Sequence, residues 1–482
     1  MRRRLTRAGT AATAAALLLA LAPSDAQAHA AERGLVMLLP TGYYVVGGAL
    51  TVAVTFLVLL LAPVGRLGRL LAGGGGLRLA PIAPALDWRA GASLASFALL
   101  VFLVVCGLVG SRDPYLNPLP IYVWTILWIA LTLAHAVFGD LWAALNPWSG
   151  PVRLLRAAVG APADGPGPLT LPGWVGCAPA ILGLVAIAWF ELVGIAPDDP
   201  ERLAGAVALY WLVNAAGMLL FGERDWRARG ESLSLFFRYI SLLAPLARGE
   251  GGGPRLVPPG AKALAEPTLS PSAALFVLTA LATVSFDGLN KTFWFLGTVG
   301  INPLEFPGRS AVMAENTLGL VAAIAVLAGG YVLAVLLGAL LAGERPDATG
   351  LKRHVGGFVL SLVPISLAFH FSHYLTILLL NAQYALLAFN DPLGVGADLF
   401  GFADLYVTAG FQSDMESVEL IWDLQAGAVV IGHVWSVILA HAMAERLYGS
   451  ARRAALSQLP LAALMVGYTV FGLWLLSTPT GV

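Results

Sequence analysis

The chain has 482 residues, of which 58% are hydrophobic and 12% charged, with 28 basic residues against 28 acidic ones. A mean hydropathy of +0.79 gives it more apolar surface than one soluble core can hide, and several apolar runs exceed the ~18 residues of a spanning helix. The balanced charge gives no basis for nucleic acid or an acidic partner, and Cys106 and Cys177 are too few for a disulfide framework or a thiolate metal site.

Residues 1–28 read as a signal peptide. Arg2, Arg3, Arg4 and Arg7 form a basic start, Ala11 to Ala22 is a short apolar run, and Ala26-Gln27-Ala28 is a cleavage pattern. Cleavage exposes His29, whose amine and ring form a copper-chelating pair, though no second histidine lies nearby.

Ten spans follow, at 42–63, 91–110, 120–143, 175–195, 203–221, 271–287, 315–342, 356–389, 423–445 and 457–477. Placing the first loop inside puts most Lys and Arg on one side: Arg66, Arg69, Arg78, Arg89, Arg153, Arg156, the stretch Arg224 to Lys262, Arg345, Lys352, Arg353, Arg446, Arg452 and Arg453. The other side keeps Arg33, Arg112, Arg202, Lys291 and Arg309. By the positive-inside rule both mature termini are periplasmic and the protein sits in a bacterial inner membrane. The expected fold is all-α, a polytopic bundle with five spans in 29–221, a cytoplasmic segment in 222–270 and five spans in 271–482.

Within the third span His135 precedes Asn146-Pro147-Trp148, and Trp124, Trp128, Trp142 and Trp148 suit packing or interfacial anchoring, so this region reads as structural. Between Glu223 and Ala247 charged residues give way to Leu233, Leu235, Phe236, Phe237, Tyr239 and Ile240, the pattern of an amphipathic helix resting on the bilayer. Gly251-Gly252-Gly253-Pro254 and Pro258-Pro259-Gly260 then form a linker. The halves share no sequence repeat, which weighs against an inverted-repeat transporter.

Chemistry concentrates in the second half. His370 and His373 lie one helical turn apart in a stretch with no charged residue between His354 and Asp391. Intramembrane imidazoles are costly and mark functional sites. His433 falls at mid-depth in the ninth span, and His441 ~12 Å further in. Asp287, Glu191 and Glu315 sit at the outer ends of their spans, and Gln383 in the outer half of the eighth. His370, His373 and His433 form a candidate ligand set for a divalent transition metal, zinc first, with iron or manganese as alternatives, and Asp287 as fourth ligand or general base. No zinc signature such as HExxH supports it, and satisfied buried contacts between helices are the competing explanation. Haem needs facing axial pairs, His373 with His433 or His135 with His441, and is not favoured. Asp391 and Asp398 sit in an outer loop with no Lys or Arg from Asp391 to Ile421, suited to guide a cation or to simple turn chemistry.

The segments Asn146-Pro147-Trp148, Ser285-Phe286-Asp287-Gly288, His373-Tyr374 with Gln383, Asp391-Pro392-Leu393-Gly394, Asp398-Leu399-Phe400-Gly401, Gly432-His433-Val434 and Ala440-His441 resemble the bacterial membrane proteins called fenitrothion hydrolases. That family commonly begins its mature chain His-Gly-Leu, where this one reads His29-Ala30-Ala31. The resemblance implies a membrane-bound hydrolase of organophosphorus triesters, and adds weight to Asp287, His373, His433 and His441 more than to His370. A small lipophilic substrate would enter from membrane lipid and meet a metal-bound hydroxide in the periplasmic half of the bilayer. The competing class is a transporter or channel for a metal ion or protons lined by the same groups. A partner subunit is not specified by the sequence.

Overall fold

The computed structural model describes residues 35–61, 65–71, 88–163, 165–248, 253–305, 308–345 and 347–479. The signal-peptide reading and His29 lie outside the described residues, as does part of the glycine linker.

Among the described residues ten helices are long and apolar enough to cross a membrane. They are α1 (Thr41–Leu59), α2 (Trp88–Val109), α3 (Pro118–Phe138), α4 (Gly173–Leu192) and α5 (Pro200–Phe221). Two short helices, α6 (Glu223–Arg229) and α7 (Ser232–Ser241), precede a small hairpin of β1 (Leu246–Arg248) and β2 (Pro254–Leu256). The remaining spans are α8 (Pro271–Leu289), α9 (Met313–Leu341), α10 (Gly350–Asn390), α11 (Met415–Tyr448) and α12 (Ala451–Ser477). The protein is therefore an all-α, multi-pass membrane bundle, as its apolar runs predict. In hydrocarbon every backbone amide must find its partner within the segment, and a helix is the only open-chain solution.

Helix starts follow local chemistry. Asn117, Asp199 and Ser270 each precede a proline and accept a backbone N–H of the first turn, from Leu119 at 3.0 Å, Arg202 at 3.0 Å and Ala273 at 3.2 Å. At the far end of α5, Gly222 takes φ 86°, a conformation open to glycine without steric cost, and lets the chain turn into α6. Some spans depart from regular winding: α10 tightens to a 3-10 turn at Val359–Leu362, and α3 is a π-helix from Ile121 to Ala130, a form associated with functional positions.

Burial separates an inner group from an outer one. The most apolar windows of α8, α10 and α11 are 78%, 83% and 61% buried, whereas no other span exceeds 33%. Around these three, α3 packs on α10, α4 on α8, α9 on α8 and α12, and α5 on α2. The first span lies against α11 and α12, so residues from the start of the chain complete the bundle formed by its end.

The 223–247 segment differs from the expected surface helix. Nine of the ten residues of α7 are buried, including Leu233, Phe236, Phe237 and Tyr239, and the helix packs among α3, α4, α8 and α10. Phe236 stacks on Trp128 at 5.2 Å between centroids, and Phe237 on His135 at 4.2 Å. What permits this is Glu231, fully buried, which accepts the N–H groups of Leu233 (2.9 Å) and Ser234 (2.6 Å), the Trp142 indole (3.2 Å) and the Tyr210 hydroxyl (2.5 Å). With two first-turn amides capped by a carboxylate, α7 enters the bundle with those donors satisfied.

Candidate functional site

The site forms where the last turns of α4 and α8 meet the His373–Asn381 stretch of α10, beside the loop 193–199 and residues Lys291 and Arg309 between α8 and α9, toward the side predicted to be periplasmic. Asp287 is carried by the last turn of α8 and is 4% exposed, so its charge depends on protein partners. His373 supplies one: its Nε2–H donates to Asp287 Oδ2 at 2.9 Å. Tyr374 donates its hydroxyl to the same oxygen at 2.7 Å and accepts the Trp128 indole N–H at 3.2 Å. Lys291, one turn beyond Asp287, places Nζ 3.8 Å from Oδ1. Glu191, at the end of α4, brings Oε1 within 3.3 Å of the Tyr374 hydroxyl.

A cavity of about 260 Å³ opens beside these groups, lined by Glu191, Asp198, Asp287, Lys291, Arg309, His373, Tyr374 and Asn381 among others. Arg309 reaches it from the loop before α9 and donates to the carbonyls of Glu191 (2.6 Å) and Gly194 (3.3 Å). Asp198 lies in the loop after α4, where burial raises its carboxyl above the ordinary value against the opposing pull of Arg309 and Lys291. His373 is 24% exposed on its side chain, and its Nδ1 faces the bare Cα of Gly288, where an added Cβ would stand 3.9 Å away.

The other expected site residues are placed elsewhere. His370 lies deeper on α10, fully bonded on one nitrogen: Nε2 donates to the Trp128 carbonyl at 2.9 Å. This bond ties α10 to the π-helical turn that carries the Trp128 indole. His433 donates Nδ1–H to Val429 O at 2.8 Å within α11, sits beside Phe369 and Tyr468, and leaves Nε2 buried without a partner among the described residues. His441 is near the opposite end of the bundle, 3.2 Å from Gln458 Nε2 and 3.8 Å from Glu445. Gln383 pins residue 408 through both its amide atoms.

Asp391 and Asp398 organise their own loop. Asp391 accepts from the N–H groups of Val395 and Gly396, and Asp398 from Asn390 and the N–H of Ala403. The Asn390 amide beside Asp398 holds its carboxyl below the usual range. Glu315 is half-buried at the start of α9, with Oε2 unpartnered among the described residues. His135 is structural: Nδ1–H donates to Leu131 O at 2.6 Å and Nε2 accepts the Trp142 N–H at 2.9 Å.

His370, His373 and His433 were expected to gather around zinc, iron or manganese. Their donor arrangement does not fit such an ion: among the described residues no three His, Cys, Asp or Glu side chains are grouped to hold one. Helix rotation is the reason. It turns the His370 and His433 rings onto backbone carbonyls, while His373 alone faces Asp287.

Sequence reasoning did not single out Lys291, Arg309, Asp198, Tyr374 or Trp128 as site residues. Lys291 was signalled by its i+4 spacing from Asp287; Arg309 carries no such signal, because a loop fold delivers it.

Fold and site together define a polytopic membrane protein with a charged cavity at one end, walled by a carboxylate–imidazole pair. The chain matches no family model, no curated protein and no solved structure.

Proposed function

We propose that the protein is a hydrolase of a lipophilic ester, working in this cavity at the periplasmic half of the bacterial inner membrane. The observation that carries the proposal is the 2.9 Å contact of Asp287 with His373 Nε2 at the cavity wall. A carboxylate that accepts one ring N–H fixes the tautomer, so the other nitrogen, Nδ1, is the basic one. In the proposed reaction a water attacks the ester centre as Nδ1 takes its proton. The same proton then passes to the leaving oxygen as that bond breaks. Lys291 and Arg309 supply positive potential for the oxygen that gains charge, and Tyr374 holds Asp287 in place. The resemblance to fenitrothion hydrolases makes an aryl phosphotriester the first substrate to try.

The test is hydrolysis by purified protein in nanodiscs, with aryl phosphotriesters and aryl carboxylic esters as probes. Replacing His373 with Ala should lower kcat by about 10²–10⁴, the usual worth of a positioned general base. A wild type no faster than the variant on every probe overturns the reading.

A second reading, a path for protons or a metal ion, draws on the hydrogen-bonded string from Glu191 through Tyr374 and Asp287 to His373. Ion flux into liposomes without hydrolysis would establish it in place of the first.

A further inference from the structure

Next to the polar cavity lies a larger one of about 830 Å³, walled by residues of α2, α3, α4, α5 and α9 and by the turn into α7. Among the described residues no Asp, Glu, Lys or Arg lines it. The two spaces meet at two indoles: Trp124 lines both, and Trp128 presents its ring to the larger while donating its N–H to Tyr374 in the smaller. Leu182, Leu209 and Val321, on the rim of the larger space, are 69%, 63% and 56% exposed. They lie on membrane-spanning helices, so this mouth opens toward lipid.

We propose that the larger cavity holds the hydrocarbon chain of the substrate, which makes the ester a long-chain membrane lipid. This rests on the hydrolytic reading of the polar cavity. The division of charge supports it, since all charged groups belong to the smaller space and the larger offers only apolar and aromatic walls with a few neutral polar groups. Volume supports it too. A compact ester is accommodated by the polar cavity alone, whereas the larger one falls in the range of full ligand sites, ~300–1,000 Å³. The sideways mouth lets a chain slide in from the bilayer without crossing water.

Two measurements on the full protein test the proposal. The first is kcat/KM for p-nitrophenyl esters from acetate to octanoate, each below its aggregation limit. It should rise with length, by up to about fourfold per methylene. The second is equilibrium binding of 1-O-hexadecyl glycerol, an ether that cannot be hydrolysed, to wild type, to A186F/A206F and to V321W. Both variants add bulk to the groove wall from different helices, and folding is checked by thermal melting. At least tenfold weaker ether binding in a folded variant, with the length dependence flattened, upholds the proposal. Length-independent turnover, or ether binding unchanged in both variants, overturns it. Saturable ether binding that the variants weaken, with no turnover of any ester, keeps the groove as a lipid site and overturns the hydrolytic reading instead.

Discussion

At the scale of single residues, Asp287 is the group on which most others depend. Buried and bonded by His373 and Tyr374, it orients the imidazole and is itself oriented by the phenol. Asp287→Asn keeps the shape but loses the charge, and kcat for the best ester should fall by about 10²–10⁴ with KM little changed. Tyr374→Phe removes the acceptor of the Trp128 indole and a donor to Asp287 at once; stopped assays should show about tenfold lower kcat, and unfolding should come about 1–3 kcal/mol sooner. Two carboxylates outside the spans should respond to pH with opposite sign. Asp198 has its pKa raised by burial, so its ionised form costs stability and acidification relieves that cost; Asp198→Asn should raise the melting temperature by a few degrees at pH 8 and by less at pH 4. Asp398 has its pKa lowered through Asn390, so its contribution is present above the ordinary carboxylate range and fades as pH falls through it. Protease resistance of the 391–414 loop should drop below about pH 4, and Asp398→Asn should weaken that pH dependence, leaving the part due to Asp391 and Asp414, whose carboxyls are also held below the usual range by the N–H groups they accept.

Among the elements, α7 shows what a sequence can and cannot announce. Its apolar and aromatic residues mark it as amphipathic, but the rings that receive them, Trp128 and His135, lie about a hundred residues upstream. Nothing local says that they will be neighbours. Replacing Glu231 with Ala removes the acceptor of Trp142, Tyr210 and two helix amides, and should cost at least about 3 kcal/mol in detergent unfolding, more than a surface helix would lose. The spans themselves were legible because apolar length is a local property: each of the ten expected runs overlaps a long apolar helix among the described residues, though α10, α11 and α12 start six to eight residues before their expected edges, where polar residues extend the helix beyond the apolar run. The site was half legible. Asp287 and His373 stood out as polar groups in apolar runs, yet their pairing, and the turning of His370 and His433 onto carbonyls, depends on the rotation of helices whose faces are apolar all round. Hydropathy carries no information about that rotation.

For the whole molecule, the inner trio of α8, α10 and α11 carries Asp287, His370, His373, His433 and His441, while the outer α4 and the adjoining loops add Glu191, Asp198, Lys291 and Arg309 to the cavity. The two native cysteines are buried, which gives a quiet background for mapping orientation. In intact cells a cysteine introduced at Ser413 should react with an impermeant maleimide, and one at Arg452 only after permeabilisation; the reverse pattern would invert the proposed topology and place the cavity on the cytoplasmic side. The widened winding between Ile121 and Ala130 has a consequence for the gene as well. Loss of one codon there would remove a residue that the wider turns accommodate and let the segment relax to ordinary i→i+4 bonding, which changes the directions of the side chains within it. Trp124 and Trp128 would then no longer face their present neighbours together, so this stretch of α3 should tolerate substitution far better than any change of length.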